Sequence, residues 1–173
     1  MTINDMFNLG FSQAQLMDMG ATLGADVPFF ILGKTAWATG TGTHLQSMAK
    51  IPSFWFVLIN PNFDISTKMV YENLNLRLTK EPIHYSIPRL LDSSDVAAGL
   101  INDLEGVTLN LYPVLRRLKQ LLTDHGAMGS LMSGSGPSVF AIFPDNKTAF
   151  RAYQVFKKDY QETYLLSSYK RGD

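Results

Sequence analysis

The sequence predicts an α+β protein whose larger, C-terminal part has a ferredoxin-like, split βαβ arrangement. From residue 54 onward, strand-like and helix-like segments follow one another in the order β-α-β-β-α-β. A continuous apolar run at 54–59 begins this series, as expected for a strand that is buried on both faces. The clearest helix covers 109–125, where apolar residues at helical spacing predict one buried face: Leu111, Val114, Leu115, Leu118, Leu121 and Leu122.

The other elements of this part follow from apolar periodicity and from flanking turn residues. The predicted strands are 128–132, 138–143 and 163–169, and the predicted helices are 67–74, 102–106 and 147–159. Residues 79–95 contain Pro82 and Pro88 and little periodicity, so this stretch is predicted to be mostly loop.

In residues 1–53 the segments that predict helices or strands are shorter. A helix is predicted over 4–9, ending at Gly10, and Ser12–Gln15 is a capping box that begins a second helix reaching about residue 19. Residues 27–32 and 35–39 are rich in aromatic and branched side chains, which predicts two strands separated by Gly33.

The composition argues against several function classes. Lysine plus arginine and aspartate plus glutamate both number 15, and this net charge of zero argues against a nucleic-acid or anionic-membrane partner. The chain has no cysteine, and His44, His84 and His125 lie far apart, so no metal-ligand spacing is present. The apolar runs are too short to span a bilayer and no signal-type segment precedes them, so we expect a cytoplasmic protein.

A run of small residues, Ser133–Ser138, separates two apolar stretches and has glycines at 134 and 136. Glycine tolerates positive φ and lets the backbone approach a ligand closely, and free N–H groups in such a turn bind anions. The same pattern is typical of a tight hairpin without any ligand. The run alone leaves both interpretations open.

A second run lies about a hundred residues earlier and reads Gly-Ala-Asp-Val-Pro-Phe-Phe at 24–30, followed by Gly40-Thr41-Gly42. In this order the two runs resemble those of the GHMP small-molecule kinases, and the resemblance covers most of the chain. Members of that family have a ferredoxin-like C-terminal domain, which agrees with the element order predicted above. They also carry an early lysine and a glycine- and serine-rich ATP loop in their first half, and this sequence matches neither.

The resemblance therefore implies the C-terminal portion of such a kinase, inactive alone. Residues 1–53 would be the end of the N-terminal domain, and residues 54–173 the C-terminal domain. The implied reaction transfers the γ-phosphate of ATP, with Mg²⁺ in the full-length parent, to a hydroxyl of a small-molecule substrate. That substrate is a sugar alcohol carrying cytidine diphosphate, and no nucleic acid or membrane takes part.

The family match implies that Asp26 takes the proton from the attacking hydroxyl. Its small and apolar neighbours predict partial burial of the carboxylate. The alternative is that Asp26 only caps the turn before Val27. The active site is expected between Asp26 and a phosphate loop whose residues are Ser133, Gly134, Ser135, Gly136 and Ser138.

Three further residues are implied to bind substrate: Thr67, Tyr71 and Thr41. Tyr71 would stack on the cytosine, although an aromatic on the buried face of a short helix is an equal alternative. Thr41 lies in a Gly-x-Gly turn that is also typical of a hairpin, and Thr43 stands where relatives usually carry an acidic residue. Asn102 and Asp103 resemble a pair found in relatives but are interpreted as ordinary helix caps.

Two other functions remain open at this level. The chain could belong to another GHMP kinase, of the homoserine or mevalonate type. It could instead be a non-catalytic ferredoxin-like module whose glycine loop binds a small ligand or nothing.

Overall fold

The computed structural model describes residues 2–48, 53–74 and 92–168, which fall into two compact units, the first within 2–48 and the second within 53–168. The helices are α1 Thr2–Met6, α2 Gln13–Ala21, α3 Val27–Leu32, α4 Thr67–Glu72, α5 Ser93–Ala98, α6 Glu105–Leu111, α7 Pro113–Asp124 and α8 Asn146–Asp159. The strands are β1 Ala36–Thr39, β2 His44–Ser47, β3 Trp55–Asn60, β4 Gly129–Met132, β5 Val139–Phe143 and β6 Glu162–Ser167.

The second unit is built on an antiparallel four-stranded sheet with the order β4-β5-β3-β6. The central strand β3 pairs with both β5 and β6, and Val57 lies opposite Ala141 on one side and Leu165 on the other. Helices α4 to α7 separate β3 from β4 in the sequence, and β5 lies between these two strands in the sheet. In the same way, α8 separates β5 from β6, and β3 lies between them in the sheet. This arrangement confirms the predicted split βαβ fold.

Helices α7 and α8 cover one face of this sheet, and the hydrophobic core lies between them and the strands. Leu115, Leu118 and Leu122 of α7 are buried at helical spacing, and Phe156 of α8 is buried with them against β3 and β5. Alternate residues of the strands, among them Val57 of β3, point into the same cluster. The core therefore holds the β4–β5 hairpin on a rigid base.

The strand predicted over 27–32 is wrong, because these residues form the helix α3. Pro28 lies in its first turn, where a missing N–H costs nothing, and Gly33 ends it with a φ of 61°. Val27 and Ile31, four residues apart, face Gly20 of α2, where an added Cβ would lie 2.8 Å from each of them. Packing against α2 thus overrides the strand preference of these branched and aromatic residues.

The single helix predicted over 109–125 is also wrong at its start. Helix α6 ends at Leu111 and α7 begins at Pro113, since proline cannot donate the N–H that would continue one helix through Tyr112. Leu111 and Val114 are consequently exposed, whereas Leu121 is half-buried. The helical patch predicted at 102–106 is right only for its last two residues, because α6 begins at Glu105.

The predicted loop at 79–95 is wrong at its end, because α5 begins at Ser93 and is capped by Asp92. The rest of that prediction, up to residue 91, lies outside the described residues. Other predictions are confirmed: the capping box on Ser12, the strands β3 to β6, and the helices α4 and α8. The first helix is shorter than predicted and ends at Met6.

The first unit buries little of its apolar surface. Of its described residues only Gly20 and Pro28 are buried. Many of its large apolar side chains are exposed: Ile3, Met6, Phe7, Leu9, Phe11, Met19, Leu23, Phe29 and Phe30. Three short helices and the β1–β2 hairpin do not form a core of their own. The assignment of residues 1–53 to the end of an N-terminal domain stays a prediction.

Among the residues that the structure describes, no helix has the length and apolar character needed to cross a membrane.

We expect Leu118→Ala to lower the free energy of unfolding by about 2–5 kcal/mol, because it leaves a cavity in the core between α7 and the sheet. Leu118 is 1% exposed. The matched control is Val114→Ala on the same helix, where the side chain is 49% exposed and the change should be small. Denaturant unfolding measures the free energy of unfolding of both variants. Equal losses of stability would show that Leu118 does not lie on the buried face of α7.

Asp145 gives α8 a pH-dependent cap. Its carboxylate accepts the N–H of Thr148 at 2.7 Å, and this backbone hydrogen bond lowers the pKa of Asp145 below its ordinary value. A lowered pKa contributes stability that is present above the pKa of the unfolded chain and is lost as the pH falls through the folded one. We expect Asp145→Ala to destabilise the protein at neutral pH and to match it in strong acid. Asp145→Asn, which still caps, should show a weaker pH dependence in the same unfolding titration.

Candidate functional site

The Ser133–Ser138 run is the loop between β4 and β5, so the hairpin interpretation of its fold is correct. The N–H of Ser133 donates to the carbonyl of Ser138 at 2.8 Å, and the N–H of Gly136 donates to the carbonyl of Ser133 at 3.0 Å. Gly134 has a φ of 56° and Gly136 a φ of 88°, conformations that L side chains rarely adopt. Both glycines are therefore required by the backbone of the turn.

The loop lies tightly against the core on one side and open to solvent on the other. A Cβ added to Gly136 would lie 2.8 Å from Sδ of Met132 and 3.1 Å from Cδ1 of Ile65. A Cβ added to Gly134 would meet nothing within 4 Å. No described residue accepts a hydrogen bond from the N–H groups of Gly134 and Ser135. Two backbone donors of the loop are thus available to a ligand, as an anion-binding turn needs.

Asn102 holds the base and the tip of this loop. Its Nδ2 donates to the carbonyl oxygens of Met132 at 2.9 Å and of Gly134 at 2.8 Å. Its Oδ1 accepts the N–H of Leu104 at 3.0 Å, so Asn102 also makes a local turn two residues long. The prediction that Asn102 and Asp103 are helix caps is wrong, because the residue before α6 is Leu104 and no side chain caps that helix. The contact of Asn102 with the loop was not predicted.

Two more side chains of the same segment contact the hairpin. Oε1 of Glu105 accepts the N–H of Met132 at 2.9 Å, and the same oxygen forms a half-buried salt bridge with Nζ of Lys119 on α7. The hydroxyl of Thr108, which is fully buried, donates to the carbonyl of Ser135 at 3.3 Å. Residues 102–108 therefore fix the loop from one side.

Thr67, the first residue of helix α4, contacts the loop. The hydroxyls of Thr67 and Ser135 lie 2.8 Å apart, so these two predicted site residues are brought together. Ser66 caps the helix by accepting the N–H of Met69. Tyr71 lies one turn further along α4 and its side chain is 59% exposed, so the alternative of an aromatic on a buried face is wrong.

Asp26 occupies the residue before α3, and its carboxylate makes no capping hydrogen bond. The alternative that Asp26 only caps the turn is therefore wrong. Asp26 is exposed, whereas its small and apolar neighbours predict partial burial. The prediction fails because Leu23, which flanks it, is itself 83% exposed and gives the carboxylate no cover.

Thr41 lies in the turn of the β1–β2 hairpin, between Gly40 and Gly42, so the hairpin interpretation holds for this run. Gly40 and Gly42 have φ values of 65° and 92°. The hydroxyl of Thr41 lies 3.3 Å from that of Thr43. Asp26 and Thr41 belong to the first unit, and Thr67, Tyr71 and the loop belong to the second.

The described residues contain no group of three or more histidine, aspartate or glutamate side chains that could hold a metal ion. Mg²⁺ in phosphoryl-transfer enzymes is typically bound through substrate phosphates with one or two carboxylates, and needs no such cluster.

The sequence did not predict that Asn102, Glu105 and Thr108 hold the hairpin. An asparagine followed by a glutamate three residues later looks like any helix start, because capping and loop contacts use the same side-chain groups. A buried threonine in a helix is equally uninformative from sequence. Only the pairing of β4 with β5 brings the loop carbonyls to this segment.

Comparison with known proteins agrees with this geometry. Residues 87–162 match the family model described as "GHMP kinases C terminal". The 4-diphosphocytidyl-2-C-methyl-D-erythritol kinase of Syntrophus aciditrophicus (strain SB) is 55% identical over 91% of this chain and 57% of its own length. The kinase of the same name from Geobacter sulfurreducens is 46% identical over 91% of this chain and 56% of its own length. The chain thus spans less than two thirds of these relatives.

Solved structures give the same relationship. A crystal structure of 4-(cytidine 5'-diphospho)-2C-methyl-D-erythritol kinase has a TM-score of 0.76 and 28% identity, covering 96% of this chain and 60% of that one. The homoserine kinase of Cytophaga hutchinsonii has a TM-score of 0.61 at 20% identity, covering 96% of this chain and 61% of that one, a likeness of fold alone. The resemblance predicted from the sequence is therefore confirmed, and the chain carries a GHMP kinase C-terminal domain.

Proposed function

We propose that this chain acts as part of an ATP-dependent kinase that phosphorylates the 2-hydroxyl of 4-diphosphocytidyl-2-C-methyl-D-erythritol in non-mevalonate isoprenoid biosynthesis. The observation that carries this proposal is the 55% identity, over 91% of the chain, to a relative named for that activity. The sequence covers 57% of that relative's length, and catalysis is proposed to need the remainder as well. The chain by itself is then inactive.

The Ser133–Ser138 loop is proposed to position phosphate. Phosphoryl transfer depends on positioning and on stabilising charge, and backbone donors in a fixed loop provide both. The N–H groups of Gly134 and Ser135, which donate to no described residue, and the hydroxyls of Ser133, Ser135 and Ser138 support this role. ATP supplies the transferred phosphoryl group, and Mg²⁺ would be bound mainly through its phosphates.

Asp26 is proposed to orient and deprotonate the substrate hydroxyl. The carboxylate of Asp26 is exposed and makes no cap bond with its own helix, so its oxygens can accept from a ligand hydroxyl. A general base needs such a free acceptor within reach of the hydroxyl proton.

The substrate is proposed to contact Thr67, Tyr71 and Thr41. The exposed ring of Tyr71 can stack on a base, and the Thr67 hydroxyl beside Ser135 lies at the phosphate loop. The cytidine diphosphate group of the proposed substrate carries both a base and phosphates. Nucleic-acid and membrane partners are not proposed, and a cytoplasmic location stays a prediction.

A chimera tests the proposal for Asp26. We would fuse the N-terminal part of the Syntrophus relative, up to the start of the match, to this chain and assay ATP-dependent phosphorylation of 4-diphosphocytidyl-2-C-methyl-D-erythritol. Asp26→Asn should reduce kcat by about 10²–10⁴-fold, because the hydroxyl loses its base. Asp18→Asn, which changes an exposed aspartate on α2, is the matched control and should leave kcat unchanged.

The same assay distinguishes the alternatives. Turnover of homoserine or mevalonate in preference to the cytidylyl substrate would contradict the proposed substrate. Full activity of the Asp26→Asn chimera would remove Asp26 from the mechanism, and robust phosphorylation by the purified chain alone would contradict the need for the remainder.

The two loop glycines should differ in their sensitivity to alanine. Gly134→Ala places a Cβ in open space and should cost about 1–2 kcal/mol of stability, from the left-handed backbone alone. Gly136→Ala adds a clash with the buried Met132, so a further loss of about 1–3 kcal/mol is expected. Denaturant unfolding measures both variants. Equal losses would show that the loop does not lie against Met132 and Ile65 as described.

A further inference from the structure

Asn102 lies behind the loop and contacts it only through carbonyl oxygens. Its Nδ2 donates to the carbonyls of Met132 and Gly134, and the buried Thr108 hydroxyl donates to that of Ser135. None of these contacts uses the N–H groups that the proposed function assigns to phosphate. The segment 102–108 is therefore placed to act on the loop without touching a ligand on its open side.

Because the peptide bond is planar, each of these carbonyl contacts also fixes the direction of the N–H group in the same peptide. The carbonyl of Gly134 and the N–H of Ser135 belong to one planar trans peptide, in which the two groups point in opposite directions. When Asn102 holds that carbonyl, the N–H of Ser135 must point away from the segment 102–108. The carbonyl of Ser135 shares its peptide with the N–H of Gly136, which closes the turn on Ser133. Thr108 thus fixes the next peptide plane in the same way.

We infer that Asn102 is a positioning residue that directs the Ser135 N–H, and with it the anion-binding side of the loop, toward the phosphate. Thr108 supports it at the neighbouring peptide. This inference rests on the proposed function, because it supposes that the loop binds phosphate.

The amide side chain suits this position for a chemical reason. Asn102 uses both hydrogens of Nδ2 on two carbonyls and its Oδ1 on the N–H of Leu104, and only this orientation of the amide satisfies all three. Aspartate has the same shape but no donor when ionised. Its carboxylate would face two carbonyl oxygens and repel them, while keeping the bond to Leu104.

Asn102→Asp is therefore the sharpest variant, and Asp103→Asn is its matched control. The control makes the reverse chemical change at the adjacent, exposed residue. Thr108→Val is a second, isosteric variant that removes only the donor to Ser135. Amide NMR of the full ¹⁵N-labelled chain, titrated with inorganic pyrophosphate, reports the shifts of the Gly134 and Ser135 signals and the affinity of the loop.

We expect pyrophosphate to shift both amide signals in the unaltered chain and in Asp103→Asn. Asn102→Asp should weaken the affinity about tenfold or more, as expected for a lost hydrogen bond to a buried or constrained group. Thr108→Val should weaken it less. Thermal melting of each variant identifies molecules that remain folded, and a merely structural role would lower the melting temperature without changing the affinity of the folded chain.

The outcomes separate the two claims. Unchanged pyrophosphate affinity in folded Asn102→Asp would overturn the inference and leave the phosphate loop intact. No shift of either amide in the unaltered chain would contradict the proposed loop function, and the inference with it. If Asn102→Asp does not fold, Asn102→Ala takes its place, and unchanged pyrophosphate affinity in that folded variant overturns the inference.

Discussion

Four backbone groups at the end of the β4–β5 hairpin are held by three side chains from one segment, residues 102–108. Glu105 accepts from the N–H of Met132, Asn102 donates to the carbonyls of Met132 and Gly134, and Thr108 donates to that of Ser135. A loop made of glycine and serine has few side chains with which to hold its own shape, and glycine has the largest conformational freedom to lose. Its fixed shape therefore depends on groups supplied from outside the loop.

The fold brings those groups to the loop through two rigid parts. The sheet order places β5 beside the central strand β3, so the hairpin begins and ends on core residues such as Met132 and Val139. The salt bridge between Glu105 and Lys119 joins the segment 102–108 to α7, which packs on the same sheet. The loop is thus held between a sheet and a helix that share one core.

The four-stranded sheet could be predicted from sequence because its signals are local and strong. The apolar run of β3, the Gly/Ser turn and the amphipathic α8 each predict their own structure. Two errors had identifiable physical causes, and only the second of them can be seen in the sequence. Branched and aromatic residues at 27–32 formed a helix because Val27 and Ile31 pack on Gly20, and Pro113 divided a helix whose apolar spacing continued across it.

The candidate site was predictable only where a family motif marked it. Asp26 and the loop were identified by resemblance, and Thr67 was found beside Ser135. The burial expected for Asp26 was wrong, because burial depends on neighbours that are distant in sequence. Asn102 was assigned to a cap, since nothing in its local pattern indicates that a hairpin thirty residues later lies within hydrogen-bond distance.

The central claim is that the loop already has its ligand-binding shape before any ligand arrives. Amide hydrogen exchange of the ligand-free chain, followed by NMR at single residues, tests it most directly. The account predicts protection of the Ser133 and Gly136 N–H groups, which donate within the turn, and fast exchange of those of Gly134 and Ser135. Fast exchange at all four would contradict it, because the loop would then have no fixed shape for Asn102 to maintain.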